Sequence, residues 1–158
     1  MRVEEFARHD SVGPRLASLT LRSRAEGILE RCTHPHVESF IAVDSRDPQH
    51  LLAASMVVIN GETRSYPYVS FDGEKSWTLG QVTDNAGVVN EADPIVYFSY
   101  SGVAFFPDLA IVNGLDRTAV ARSTDGGRTW RWNAILPAAD RPWMVFATTR
   151  GCSSITHR

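Results

Sequence analysis

The sequence has little that points to a membrane, a nucleic acid or a disulfide framework. Its 158 residues carry a net charge of −2, which gives no argument for binding nucleic acid or an anionic membrane surface. No apolar run approaches the length of a membrane-spanning helix, and the first residues lack the apolar core of a secretory signal. Two cysteines, Cys32 and Cys152, are too few to indicate a disulfide framework, and we interpret them as unpaired thiols.

Several signatures of enzymes are missing as well. There is no phosphate-binding loop, no dinucleotide fingerprint and no G-x-S-x-G nucleophile elbow. His34 and His36, with Glu38 next on the same strand face, are the residue types that zinc prefers. However, Pro35 lies between the histidines and no further ligands stand at useful spacing, so an exposed loop is the favoured interpretation. The sequence therefore predicts neither a metal nor a cofactor.

The most informative segment is an eight-residue motif that occurs twice. Residues 123–130 read S-T-D-G-G-R-T-W, and residues 70–77 read S-F-D-G-E-K-S-W. The two copies lie 123 − 70 = 53 residues apart. A repeat period near 50 is typical of radial or stacked architectures in which each repeat is one small sheet.

Each residue of the second copy has a physical role in a tight turn. Asp125 can accept hydrogen bonds from backbone N–H groups, and Ser123 can cap the turn. Gly126 and Gly127 can adopt the positive φ that a connection between two strands demands. Trp130 can fold its ring beneath the turn as an apolar plug. The motif therefore predicts a self-contained corner between two strands.

The pattern S-x-D-x-G-x-x-W resembles the Asp-box, or bacterial neuraminidase repeat, of sialidases, other glycoside hydrolases, sortilin-type receptor domains and non-enzymatic propellers. The positions that match are Ser70, Asp72, Trp77, Ser123, Asp125, Gly127 and Trp130. The first copy departs where Glu74 replaces glycine, although Gly73 stands beside it. The resemblance covers residues 34–147. In the family the box lies at the blade periphery, away from the central ligand site.

The resemblance implies an all-β fold, a partial β-propeller of the sialidase type. We expect residues 34–150 to form the propeller blades and residues 151–158 to form a C-terminal tail. Residues 1–33 look different, because apolar positions 21, 25, 28, 29 and 32 suit one face of a helix. This N-terminal segment is therefore expected to be a short helix or a linker.

The strand pattern predicts two four-stranded blades and the start of a third. The first blade has expected strands at 40–43, 51–59, 64–71 and 76–82, with a turn at 44–50. The second has expected strands at 94–100, 103–112, 118–123 and 128–135, with Pro107 limiting the pairing of the second of these. A strand at 142–147 would begin the third. Because closed propellers have about four to eight blades, we expect a fragment of a longer propeller or, less favoured, a protomer that closes by assembly.

The resemblance to sialidases raises the question of their catalytic residues. The Arg-Ile-Pro motif of those enzymes is absent here and no Tyr–Glu pair can be placed, so no catalytic residue is carried over. Residues at the ends of inner strands can face the channel where propellers bind ligands. This places Glu38, Asp93, Asp140 and Arg141 as candidates, against the favoured alternative of turn capping and surface ion pairing.

Aromatic residues in the last expected strand of the second blade offer another candidate. Trp130 and Trp132 alternate on one strand face and could stack on a sugar. Packing between blades is the favoured role, because large aromatic rings contribute most to such interfaces.

Two functions remain open at this point. In the first, the parent protein is a glycoside hydrolase similar to an exo-sialidase, and this chain alone is inactive. In the second, the parent is a non-catalytic propeller that binds a glycan or a protein. Expected partners are a glycan and further copies through exposed blade faces, with no nucleic acid and no membrane. The resemblance favours a secreted or extracytoplasmic parent.

Overall fold

The structure, a computed structural model, describes residues 34–84, 86–138 and 140–146, and within these ranges the chain is all β. Ten strands and no helix occur there, so a membrane-spanning helix does not occur there either. The helix expected within residues 1–33 and the tail expected at 151–158 lie outside the described residues, as do both cysteines. The all-β class predicted from the sequence is confirmed.

Sheet 1 is an antiparallel meander of four strands in chain order. Its strands are β1 (His36–Asp44), β2 (Asp47–Ile59), β3 (Glu62–Ser70) and β4 (Thr78–Leu79). Asn60 and Gly61 connect β2 to β3 with φ of 53° and 83°, the conformation of a two-residue hairpin turn. The turn expected at 44–50 is shorter than predicted, because β2 already begins at Asp47.

Sheet 2 has the strand order β5-β10-β9-β8-β6, and β7 also pairs with β8. Its strands are β5 (Gln81–Val82), β6 (Val88–Ala92), β7 (Tyr97–Phe98), β8 (Ala104–Val112), β9 (Leu115–Ser123) and β10 (Thr129–Pro137). All pairs are antiparallel except β5 with β10. The hairpin between β8 and β9 repeats the Asn-Gly turn, with φ of 52° at Asn113 and 76° at Gly114.

The strand expected at 76–82 is wrong as a single element, because its two halves join different sheets. The Gly80 amide donates to Pro67 O at 2.8 Å in sheet 1, whereas the Gln81 amide donates to Arg128 O at 2.9 Å in sheet 2. A side chain at Gly80 would be blocked, because its Cβ would lie 2.4 Å from the indole nitrogen of Trp130. The chain thus crosses between sheets at a glycine that the Trp130 ring covers.

Three further strand predictions differ from the structure. The strand at 94–100 reduces to β7, and before it Pro94 has no N–H to donate while the Ile95 amide still donates to Pro107 O of β8 at 3.0 Å. Pro107 does not interrupt β8, which runs unbroken through it. The predicted strand at 142–147 is wrong over its described part, 142–146, where the Trp143 amide closes a turn onto Arg141 O at 2.8 Å. Strand β6 was not predicted.

The two sheets share a hydrophobic core. Its buried members are Leu52, Ala54, Val69, Val96, Ala104, Phe106, Ala121 and Trp130. Trp130 and Phe106 are fully buried, with ring centroids 5.9 Å apart in an edge-to-face arrangement. Strand β2 is buried on both faces, as its apolar run predicts, because Leu51 lies on the other face with Tyr68 and Trp77. Truncating a buried tryptophan of this kind costs about 3–5 kcal/mol.

Turn 2 (residues 123–130) connects β9 to β10 and is closed by its own side chains. Ser123 Oγ donates to Asp125 Oδ1 at 2.7 Å and accepts from the Gly127 amide at 2.8 Å. The Asp125 carboxylate accepts from the Thr129 amide at 2.9 Å and from Thr129 Oγ1 at 2.6 Å. The Trp130 indole N–H donates to Gly127 O at 2.9 Å. The corner predicted from the motif is therefore present.

Turn 1 (residues 70–77) connects β3 to β4 with the same bonding scheme and two differences. Ser70 Oγ donates to Asp72 Oδ1 at 2.8 Å, and the Ser76 amide and hydroxyl donate to the Asp72 carboxylate at 2.9 and 2.6 Å. Glu74 adopts a φ of 70°, where Gly127 of turn 2 has 96°. The indole N–H of Trp77 is buried and has no hydrogen-bond partner among the described residues.

Replacing Gly127 by alanine should destabilise the chain more than the same change at Gly114. Both residues have positive φ, which costs an L-residue about 1–2 kcal/mol. Only at Gly127 would the new Cβ also meet a core atom, Leu52 Cδ2 at 2.4 Å, whereas nothing lies within 4 Å at Gly114. We expect Gly127→Ala to lower the free energy of unfolding by about 1–3 kcal/mol more than Gly114→Ala, measured by urea unfolding. Equal effects would contradict this packing.

Acid should weaken turn 2 through Asp125. Burial acts to raise the pKa of Asp125, but the hydrogen bonds from Thr129, Ser123 and Arg128 outweigh it and lower the pKa to about 2. This bonding therefore stabilises the fold above the ordinary pKa of 3.8 and is lost as pH falls towards 2. We expect Asp125→Asn to be less stable than wild type at pH 6 but to lose less stability between pH 5 and 2.

Thermal unfolding followed by circular dichroism at each pH measures this difference. Asp116→Asn, at an exposed position of β9, is the matched control and should follow the wild-type acid profile. An Asp125→Asn profile parallel to that of wild type would contradict the assigned hydrogen bonds.

Candidate functional site

Four residues singled out in the sequence lie together in the structure. Glu38 Oε2 accepts a hydrogen bond from the Asp93 amide at 2.9 Å, which joins β1 to the segment that follows β6. Arg141 Nε lies 4.0 Å from Asp93 Oδ1, and the Asp140 carboxyl also acts on Asp93. Glu38, Asp93, Asp140 and Arg141 are here called the Asp93 cluster. Three separate chain segments therefore meet at one point.

Irregular backbone places these side chains. Glu38 lies where the pairing of β1 with β2 shifts register, between Val37 and Phe40, and it has a φ of 54°. A bulge of this kind bends a strand and re-aims its side chains. Asp93 follows the end of β6 with a φ of 50°, and Arg141 has a φ of 53°. The cluster thus forms where each segment leaves regular strand geometry.

The electrostatics of the cluster centre on Asp93, whose side chain is 14% exposed. Burial raises the pKa of Asp93, and the charge of Glu38 and both the charge and a hydrogen bond of Asp140 raise it further. Arg141 opposes this shift, but its own side chain is 65% exposed. With three carboxyls to one guanidinium, the surroundings of Asp93 hold its pKa above the ordinary value. Whenever Asp93 carries a proton it can donate a hydrogen bond, while ionised carboxylates only accept.

An exposed aromatic ring lies beside the cluster. Trp143 is 53% exposed and belongs to the same turn as Arg141, whose carbonyl accepts its amide. Its ring stands edge-on to Phe40, with centroids 6.2 Å apart, and Phe40 in turn lies 6.1 Å from Tyr97. Burial raises the pKa of Tyr97, whose hydroxyl accepts from the Met144 amide at 3.2 Å. Trp143 was not among the candidates from the sequence. Its position directly after Asp140, Arg141 and Pro142 could have indicated it, because two of these residues were already candidates.

The other aromatic candidates belong to the core. Trp130 is fully buried and Trp132 packs against the core, with its ring 6.3 Å from that of Phe106. Both rings therefore pack in the core, and a packing between blades stays a prediction. Of the two histidines considered for zinc, His36 has Nδ1 2.6 Å from Ser55 Oγ. In the described ranges no group of three or more His, Cys, Asp or Glu residues is placed to hold a metal ion.

A second polar group, Asp44, Arg46 and His50, links the two sheets away from the cluster. The hydrogen bond from Arg46 lowers the pKa of the buried Asp44 to about 2, and His50 Nδ1 lies 3.4 Å from Asp44 Oδ2. His50 Nε2 lies 2.7 Å from Gly126 O in turn 2. Arg46 also donates to Ser101 O at 2.7 Å. The contacts of Arg46 with Ser101 O and of His50 with Gly126 O join sheet 1 to turns of sheet 2, so the group has a structural role.

Glu38 and Arg141 should shift the pKa of Asp93 in opposite directions. Glu38→Gln removes a negative charge, so we expect the pKa of Asp93 to fall. Arg141→Gln removes the opposing positive charge, so we expect it to rise. Carboxyl carbon chemical shifts followed by NMR against pH measure both, with Asp116 in the same spectra as an internal control. A pKa of Asp93 that is unchanged in both variants would show that the cluster does not form.

Comparison with other proteins does not place the chain in a family. No family model, no curated protein and no solved structure matches it. A function for this chain therefore has to be argued from its own residues, their contacts and their charges.

Proposed function

We propose that the chain forms two blades of an Asp-box propeller. Strands β1 to β4 follow one another in sheet 1, and β7 to β10 follow one another in sheet 2. Each set has an S-x-D turn between its third and fourth strands. The two turns contain equivalent hydrogen bonds at equivalent positions. Residues of both sheets also contribute to one core cluster. Units with equivalent strand order and turns that share a core support a propeller arrangement.

Two blades do not close a propeller, since closed propellers have about four to eight. Further blades would come from a longer chain or from other copies of this one. A channel site needs groups from several blades held rigidly together. We therefore expect the 158-residue chain alone to hydrolyse little or no glycoside, and the proposed activity belongs to the closed assembly.

We further propose that this assembly acts on glycans as a glycoside hydrolase and that the Asp93 cluster contributes to its site. The observation that carries this proposal is the meeting of Glu38, Asp93 and Asp140 beside the exposed ring of Trp143. Most glycosidases use a pair of carboxyl groups, one of which keeps its proton so that it can act as the acid. A raised pKa suits Asp93 to that role, and Trp143 offers an apolar face to a sugar ring.

A non-catalytic glycan-binding propeller is the second candidate, and one observation favours it. Glu38 is already engaged by the Asp93 amide, and Asp93 lies within ion-pair distance of Arg141. These contacts hold the loops in place whether or not a reaction occurs. Under this alternative, Trp143 and the carboxyls bind a sugar without cleaving it.

One set of variants separates the two functions. If the assembly is a hydrolase, Asp93→Asn should lower turnover of its best glycoside by about 10²–10⁴-fold, because an amide cannot supply the proton. Binding of the same glycan should change little. Asp116→Asn is the control for general effects of losing a carboxyl, and turnover is measured on a panel of neutral, amino and sialylated glycosides.

The binding alternative predicts a different pattern. Wild type would show no turnover on any glycoside of the panel, and Trp143→Ala would lower glycan affinity by about tenfold or more, measured by calorimetry. Neither turnover nor glycan binding in a closed assembly would remove both candidates.

A further inference from the structure

A fully buried carboxyl lies between the two sheets, apart from the residues proposed to contact a glycan. Asp108 stands in the middle of β8 and is 0% exposed. Its Oδ1 accepts a hydrogen bond from Ser65 Oγ of β3 at 3.1 Å. Among the described residues its Oδ2 has no hydrogen-bond partner. An ionised carboxylate is costly in such a place, because one of its oxygens has lost its hydrogen bonds to water and has gained no hydrogen bond from the protein.

A second carboxyl, that of Glu91, also accepts a hydrogen bond from Ser65. Glu91 Oε2, from β6 of sheet 2, accepts a hydrogen bond from the Ser65 amide at 2.7 Å. Ser65 of sheet 1 therefore lies between two carboxyls of sheet 2, one on its amide and one on its hydroxyl. β3 and β6 have no shared strand pairing, so these bonds form a direct polar link between the two sheets where they meet.

The charges that face this link are mostly of one sign. Asp93 follows β6 and adds a third carboxyl near Asp108, while Arg64, next to Ser65, is the cation that acts on Glu91. Arg64 also pairs with Glu62 at 2.7 Å, so its charge is shared. Ionisation of Asp108 would put a further negative charge in this group. The hydrogen bond from Ser65 Oγ and the backbone amide of Ala92 favour the ionised form of Asp108, but burial and the charge of Glu91 outweigh them.

We propose that Asp108, Glu91 and Ser65 form a pH-sensitive clamp, which holds β3 of sheet 1 to β6 of sheet 2 while Asp108 is protonated and loosens when it ionises. Asp93 follows directly on β6, so loosening would also free the segment that carries the Asp93 cluster. The clamp goes beyond the proposed function and can be tested with no glycan present.

The direction of the pH effect follows from linkage. Burial, and then the charge of Glu91, raises the pKa of Asp108 well above its ordinary value, and burial likewise raises the pKa of Glu91. A group that keeps its proton more tightly in the folded state stabilises the fold at low pH. That stability is lost as pH rises through the folded-state pKa. The clamp is therefore closed in acid and weakens towards alkaline pH, opposite to the acid-sensitive turns.

Amide hydrogen exchange on the 158-residue chain tests the clamp between pH 5 and 9. After correction for intrinsic exchange, we expect protection of the Ser65 amide and of β6 to fall by about tenfold or more as pH rises, whereas amides in the β8–β9 hairpin change less. Asp108→Asn cannot ionise, so its protection should stay nearly constant. Asp116→Asn is the matched control and should behave as wild type.

A second variant keeps the test decisive if Asp108→Asn does not fold. Glu91→Gln removes the neighbouring charge, which should lower the pKa of Asp108 and reduce the loss of protection. Carboxyl NMR on wild type should also show Asp108 titrating well above the ordinary range of an aspartate. Protection in wild type that does not depend on pH, or an equal loss in both acid-to-amide variants and wild type, would overturn the proposal.

Discussion

The indole of Trp130 is the contact on which the rest of the described fold depends. Its N–H closes turn 2 on Gly127 O, and its ring fills the core between the sheets against Phe106. It also lies over Gly80, where the chain crosses from sheet 1 to sheet 2. One side chain thus couples a local turn, the crossing point and the packing of the sheets. A glycine is required at Gly127 because Leu52 of the opposite sheet occupies the space of a Cβ.

Polar links between the sheets complement this apolar contact. The Asp44, Arg46 and His50 group ties the start of sheet 1 to turns of sheet 2. Further along, Ser65 of β3 ties sheet 1 to strands β6 and β8 of sheet 2. His50 stands near the start of β2, whereas Ser65 pairs with Met56 near its end. Strand residues rise about 3.3 Å each, so the two links lie on the order of 20 Å apart along the sheet. The hydrophobic core is therefore flanked by polar contacts between the sheets, and the strength of these contacts depends on the charges of their side chains.

The turns, which depend on residues close in sequence, were predictable. The contacts between distant segments of the chain were not. The S-x-D turns and the Asn-Gly hairpins form as expected, because their bonds join residues at most four apart. Strand 142–147 was expected from an apolar run, but Pro142 lacks an N–H and the Trp143 amide is used in a turn. Glu38 and Asp93 were candidates because they stand near expected inner strands, but their contact depends on a bulge in β1 and on β6, which was not predicted. Asp108 could not be recognised, because its burial depends on how the two sheets pack.

Backbone strain marks the Asp93 cluster as different from the turns. Among the described residues other than glycine, positive φ at Asn60 and Asn113 is explained by hairpin turns, and asparagine tolerates it well. Glu38 lies in a bulge of β1 and Arg141 in the turn closed by the Trp143 amide, with φ of 54° and 53°, and neither is a residue type that favours positive φ. Strain of this kind costs about 1–3 kcal/mol and persists only where surrounding contacts over-determine it. Here those contacts run through Asp93, which binds one residue by its amide and faces the other with its carboxyl. The irregular backbone at Glu38 and Arg141 therefore coincides with contacts to a single carboxyl residue, Asp93.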